Sequence, residues 1–337
     1  MSSLPEALAR VAASGAALAR LGADPLTASL ALCAFFALFA LIAGTATGWW
    51  SWVDRIWSIS PAAYVLLFAL LTAPLHPRLC LMAALAALWA ARLTANFARK
   101  GGFGDVTPEN EDYRWPVVRA WMRAHLPARF ERALREAFHL LFVCAYQNVL
   151  LWLQVAPACL VVLAAPRSAL TPADAAAAAA FLALLALEAF TDEAQWAFQS
   201  AKHALTPAQR AAAGGDFARG FCTTGVFAWS RHANFFAEQS MWWVFFGFGC
   251  IARQPASLRD ALLHYSAAGP LLLSLLFQGS TEITERITAA KYPAYAAYQQ
   301  TTSRLVPWPP SAQPAGGAPA AAKAAAKARS ASSAKKR

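Results

Sequence analysis

The chain has 337 residues, of which 58% are hydrophobic and only 14% charged, with a mean hydropathy of +0.39 and a net charge of +11. A water-soluble domain carries about a quarter charged residues, so that class is excluded, and repeated apolar runs of about 18 residues or more define a polytopic helical membrane protein, all-α in class. The charge is unevenly placed: from Trp308 onward Lys323, Lys327, Arg329, Lys335, Lys336 and Arg337 stand without an acid, contributing +6 and leaving +5 for the rest. Such a tail suits anionic lipid headgroups, and nothing in the sequence resembles a nucleic-acid-binding fold.

Residues 1–25 are alanine-rich and carry both signs of charge, which argues against a transit peptide and gives a weakly ordered N-terminal segment. The first span is expected at 26–48, followed by 61–76, 78–95, 138–165, 173–192, 235–252 and 258–278, about seven in all. Pro157 lies inside the fourth and should kink or split it. The polar stretches 99–137, 196–234 and 279–337 are separated by pairs of spans and so share one side. Their arginine and lysine content makes that side the cytosol. The expected transmembrane domain covers 26–308, and 309–337 is a low-complexity basic Ala/Pro/Lys tail, disordered or lipid-associated. Six scattered cysteines, mostly inside apolar runs, indicate neither a disulfide framework nor a metal site.

Four polar groups border the spans. In "WSRHANFFAE" (229–238), a helix would place Arg231, Asn234 and Glu238 on one face with His232 beside them. In "EAFTDEAQWAF" (188–198), Glu188, Asp192 and Gln195 share a face, and acids there need a donor such as an arginine or a ribose hydroxyl. The third group is "RLTANFARKGGFGDVTPENEDYRW" (92–115), where Asn96 and Arg99 are one turn apart. Its "GGFG" is a turn, since no strand precedes it. The fourth is "GSTEITERITAAKYPAYAAYQQTTSRLVPWPP" (279–310), with Glu285, Arg286, Tyr295 and Tyr298 placed to close over whatever the others bind. Interfacial arginines, tyrosines and the 13 tryptophans also serve as ordinary anchors, but the polar face of 229–238 does not fit a lipid-facing anchor.

These stretches carry a resemblance. "GVFAWSRHANFFAEQSMWW" is similar to the glycine–aromatic–Arg-His-Pro-Asn-Tyr–Glu motif of the steroid 5α-reductase C-terminal superfamily, and in particular to its DUF1295 branch. "WVDRIWSISP", "EDYRW", "EAFTDEAQWAF" and the 279–310 segment resemble that branch in the same order, over about residues 50–310. The resemblance implies a multi-helix membrane fold that holds NADPH on its cytosolic side without a Rossmann domain. It assigns cofactor contacts to Arg231, His232, Asn234, Glu238, Asp192 and Gln195. Arg286 and Tyr298 join them from the closing segment, and Asn96 and Arg99 lie in a comparable loop. The implied reaction passes hydride to an enone-type C=C bond of a lipophilic substrate such as a sterol. Asp54 matches the glutamate that polarises the carbonyl. Trp89 falls near the position of the family's tyrosine and offers only an indole N–H. Ala233 replaces the motif's proline. The implied location is integral and multi-pass, in the endoplasmic reticulum if the source is eukaryotic. Two other readings stand beside this one. An isoprenylcysteine-type lipid methyltransferase using S-adenosylmethionine shares an Arg-His-Pro motif and later glutamates. A non-catalytic lipid-binding protein would keep the fold without the chemistry.

Overall fold

The computed structural model describes residues 24–72, 75–164 and 169–311. Nearly all of the expected N-terminal segment and of the basic tail therefore lies outside the described residues. Within them the chain is helical and has no strand. The described residues divide into two compact units, those up to Leu185 with Gln239–Leu275, and Ala186–Glu238 with those from Leu276 onward.

In the first unit, α1 (Pro25–Thr47) begins where Asp24 accepts hydrogen bonds from the Thr27 amide and hydroxyl, with proline at the first helical position, and ends at Gly48 in the left-handed region. The stretch "WVDRIW" forms α2 (Trp52–Trp57), followed closely by α3 (Ile59–Leu71) and then α4 (Pro77–Arg99). Helix α5 (Arg114–His125) and α6 (Ala128–Phe138) form a hairpin. The chain continues through a π-helical segment (His139–Tyr146) into α7 (Gln147–Gln154) and α8 (Ala156–Ala164). Trp50, Val53, Ile56, Trp115, Met122 and Val143 form the core that joins the α2 region to the hairpin. The long α9 (Pro172–Ala204) starts in this unit, and Asp174 in its first turn is fully buried against Arg78 at the start of α4.

The expected split near Pro157 falls at Val155, between α7 and α8, two residues before the proline. Proline has no N–H to give and its ring crowds the carbonyl four residues earlier, which is that of Leu153. Two glycines pack against this break. Gly249 of α12 (Ala233–Arg253) lies against Pro157 and Leu160, and Gly269 of α14 (Ala268–Lys291) lies against the Leu153–Gln154 backbone. A Cβ on Gly269 would fall on backbone atoms that cannot swing aside. Gly269→Ala is therefore expected to destabilise by about 1–3 kcal/mol, read as a lowered unfolding midpoint in detergent, whereas Gly247→Ala, with open space around it, should be close to neutral.

Among the described residues, five helices or helix pairs are long and apolar enough to cross a bilayer: Pro25–Thr47, Trp52–Leu71, Pro77–Arg99, Ala128–Gln154 and Pro172–Ala204. The second begins nine residues earlier than the expected 61–76, because "WVDRIW" is itself helical and nearly continuous with α3.

The second unit contains the last turns of α9, the short helices α10 (Pro207–Ala213) and α11 (Gly215–Arg219), a 3-10 turn at Gly225–Ala228, the first turn and a half of α12, most of α14, and α15 (Tyr295–Thr301). Helix α10 starts with a capping box between Thr206 and Gln209. Asp216 ties the following loop together by accepting from the Thr223 amide (2.9 Å) and hydroxyl (2.6 Å), the Thr224 hydroxyl (2.9 Å) and Arg219 (2.9 Å). Phe221 packs with Tyr295 and Tyr298 as the small core of this unit. The last leucine-rich helix ahead of α14 is α13 (Leu258–Leu262), which belongs to the first unit.

Candidate functional site

The polar motif at 229–238 does not run as one helix. Helix α12 starts at Ala233, so Asn234 and Glu238 share a helical face, while Arg231 and His232 sit in the preceding turn. This corrects the expected single face. Ala233, fully buried, occupies the first helical position, where the motif's proline would also be at home. The turn is shaped by Ser230, whose hydroxyl donates to the Leu305 carbonyl (2.6 Å) and receives the His232 amide (3.2 Å).

Arg231 makes a bidentate pair with Glu285 of α14, Nε to Oε1 at 2.7 Å and Nη2 to Oε2 at 3.1 Å, with both side chains less than a tenth exposed. Its Nη1 donates to the carbonyls of Gln299 (3.0 Å) and Thr302, and its backbone amide donates to Ser303 O (2.9 Å). Glu285 also receives Gln299 Nε2 (2.8 Å), and His232 Nε2 stands 2.9 Å from its Oε1. The Tyr295 hydroxyl lies 3.5 Å from the same oxygen. Burial by itself would raise the Glu285 pKa. The hydrogen bonds of His232, Arg231 and Gln299 outweigh burial and hold the carboxyl well below the ordinary glutamate range. Residues 299–308 thus form a strap over 227–232, completed by Trp308 N to Trp229 O (2.9 Å) and by the buried Tyr298 hydroxyl donating to Phe227 O.

On α9, Asp192 is buried and accepts from Asn234 Nδ2 at 3.1 Å. Glu188 and Glu238 are also buried, and Gln195 is half-buried. The structure therefore brings Asp192 to Asn234, and Arg231 and His232 to the closing segment. Arg286 is 78% exposed and pairs with Glu282 one turn away (2.7 Å). Tyr298 serves the strap. Of the remaining expected residues, Asp54, Asn96 and Arg99 belong to the first unit. There Asp54 accepts from the Trp115 indole (3.0 Å), and Arg99 Nε donates to Asn96 Oδ1 (3.0 Å) on the last turn of α4. Trp89 is fully buried, edge-on to Trp242 at 5.0 Å.

The second unit has an open groove of about 430 Å³ between α9 and the 216–227 loop, lined in part by Phe190, Ala194, Phe198, Phe217 and Phe227. At 100° per residue, the groove face of α9 (190, 194, 197, 201) is opposite the face of Asp192 and Gln195. The groove is apolar, with Asp216 already committed to its loop. Burial alone would raise the Asp216 pKa, but the hydrogen bonds from Thr223, Thr224 and Arg219 bring it below its ordinary value.

Sequence reasoning left Ser230 and Gln299 out of the site, although Ser230 shapes the turn and Gln299 completes the Glu285 acceptor set. An uncharged residue far along the chain gives no local sign of such a role. Glu285 did give a sign, as an acid within a largely apolar helix that needs a partner.

With only helices, five of them of membrane length, among its described residues, and with a buried carboxylate–guanidinium pin and an Asp–Asn contact, this is an integral membrane protein of the small polytopic type. The chain belongs to the DUF1295 family, proteins of unknown function, whose model matches residues 39–302. An uncharacterized protein of Schizosaccharomyces pombe is 35% identical over 265 residues, covering 76% of this chain and 72% of that protein. No solved structure matches the chain.

Proposed function

We propose that this protein is a membrane-embedded, NADPH-dependent reductase acting on an enone-type C=C bond of a lipophilic substrate such as a sterol. The observation that carries the reading is the convergence of three stretches distant in the chain, 188–198, 229–238 and 279–310, through the Asp192–Asn234 and Arg231–Glu285 contacts. In this reading the stretches 235–252 and 258–278 complete the seven spans, the polar stretches 99–137, 196–234 and 279–308 face the cytosol, and the enzyme of a eukaryotic source resides in the endoplasmic reticulum.

The residues suit different parts of the cofactor unequally. Asp192, Asn234 and Glu238 offer the acceptors and donors that ribose hydroxyls require. Arg231 is engaged by one carboxylate and two carbonyls, so it serves as a pin and not as a free phosphate grip. Arg286 is exposed and, among the described residues, paired with Glu282 alone, a carboxylate that a cofactor phosphate would displace. NADPH would supply the hydride, and Asp54, held by Trp115, is assigned the role of polarising the substrate carbonyl.

The test is a titration of the detergent-purified protein with NADPH and, separately, with S-adenosylmethionine. NADPH should bind, and Asn234→Ala should weaken it by about tenfold, in line with one lost hydrogen bond of about 1.4 kcal/mol. Arg286→Gln should weaken NADPH more than NADH, through the extra phosphate. Binding of S-adenosylmethionine in place of NADPH would overturn the reading in favour of a lipid methyltransferase. A folded protein that binds neither would be a lipid-binding protein without this chemistry.

A further inference from the structure

Helix α5 is apolar on two sides. Trp115 and Met122 are buried in the core, with Val118 and Leu126 packed beside them. Turned away from that core face, Val117 and Trp121 lie one turn apart, 43% and 56% exposed. Helix α6, which has no buried residue, also exposes an apolar stripe, with Phe130, Leu134 and, in the following π-helical segment, Leu141 at 48%, 44% and 64% exposure. Water is a poor solvent for such a surface, and ordinary solvated helices put polar residues on their outer faces.

The cations around these stripes fall into two groups. Arg114 and Arg119 pair with Asp112 and Glu111, and Arg135 pairs with Glu131 and Glu136. Arg123, Arg129 and Arg132 are exposed, and among the described residues none of the three has an ion pair. Arg129 instead lies over the Phe130 ring at 4.6 Å, and His125 stacks on Trp121 at 4.9 Å. Aromatic bodies with cationic heads are the residue types that settle at the level of lipid headgroups.

The placement agrees with this. The membrane-length helix Ala128–Gln154 has 27 residues. At about 1.5 Å per residue it is roughly 40 Å long, more than the roughly 30 Å of bilayer hydrocarbon. Its arginines are all in the first eight residues, so this is the end that stands among the headgroups.

We propose that the α5–α6 hairpin is a docking surface for anionic phospholipid, with Val117, Trp121, Phe130 and Leu134 dipping into the acyl boundary and Arg123, Arg129 and Arg132 binding headgroup phosphates. The site shares no residue with the basic tail and needs no contribution from the reductase reading.

The test uses the full-length protein in vesicles of phosphatidylcholine mixed with phosphatidylglycerol, one lipid or the other carrying brominated chains that quench nearby tryptophan. Brominated phosphatidylglycerol should quench more than brominated phosphatidylcholine, and the excess should shrink with added salt. The excess should disappear in Trp121→Phe, which identifies its source among the 13 tryptophans. It should fall by roughly tenfold in relative affinity, or more, when Arg123, Arg129 and Arg132 are all changed to Gln. The single changes Arg129→Gln and Arg132→Gln, at exposed positions that leave the fold intact, should each give part of that loss. A variant with the six tail cations changed to Gln should keep the excess. Equal quenching by the two lipids, an excess that survives the triple change, or one that vanishes with the tail cations would each overturn the proposal.

Discussion

Arg231→Ala is expected to destabilise the protein by about 3–5 kcal/mol, because it leaves the Glu285 carboxylate buried without its bidentate partner. The loss should appear as a lower unfolding midpoint and as earlier protease cutting in 299–308, since Arg231 also holds the carbonyls of that strap. Glu285→Gln keeps the shape but strands the arginine, so it should fall in the same range. The pH dependence separates the charge from the packing. The Glu285 pKa is depressed in the folded state, so its contribution is complete above the ordinary glutamate range and is lost as pH falls through and below it. The wild-type protein should therefore lose its stability advantage over Glu285→Gln on acidification from neutral pH. A difference that stays constant with pH would show that the carboxylate is not the group responsible.

The membrane class and the place of the first span were legible because they depend on local pattern. Asp24 ahead of Pro25, and Thr206 with Pro207 and Gln209, fix helix beginnings through residues only one to three positions apart, a local signal that the expected spans did not draw on. Pro157 announced the break of the fourth span, which falls two residues earlier because the clash acts on the preceding turn. The site was harder to read, for a physical reason. Spacing alone put Arg231 on a helical face, but Ser230 bonded to Leu305, 75 residues away, holds that stretch in a turn. The partner of Arg231 is 54 residues distant, and nothing near the arginine distinguishes a pin to Glu285 from a phosphate contact. The Asp192–Asn234 contact was foreseeable in kind, since a buried acid requires a donor, although its partner was not. The two-sided α5 was missed because alternation between a core face and a lipid face looks like a uniformly apolar helix interrupted by arginines.

Asp174→Ala should have an effect as large as the loss of Arg231, in the other unit. Arg78 and Asp174 are 2% and 0% exposed and meet through two hydrogen bonds, Nε to Oδ1 at 2.5 Å and Nη2 to Oδ2 at 2.8 Å. Asp174 also accepts from the Thr171 amide and hydroxyl, so it caps the start of α9 while pairing with the start of α4. An arginine at a helix beginning opposes the helix dipole, and the nearby carboxylate offsets that cost. Removing the acid leaves a buried guanidinium beside the unfavourable end of the dipole, with an expected loss of about 3–5 kcal/mol. The double change Arg78→Met with Asp174→Leu removes both charges and fills the space with apolar atoms, so it should cost much less than either single change to alanine. If the double variant were as unstable as Asp174→Ala, the pair would owe its role to the Thr171 cap rather than to charge compensation. A Thr171→Val variant would then reproduce most of the loss. The unfolding midpoints of these variants, measured in one detergent, decide between the two accounts.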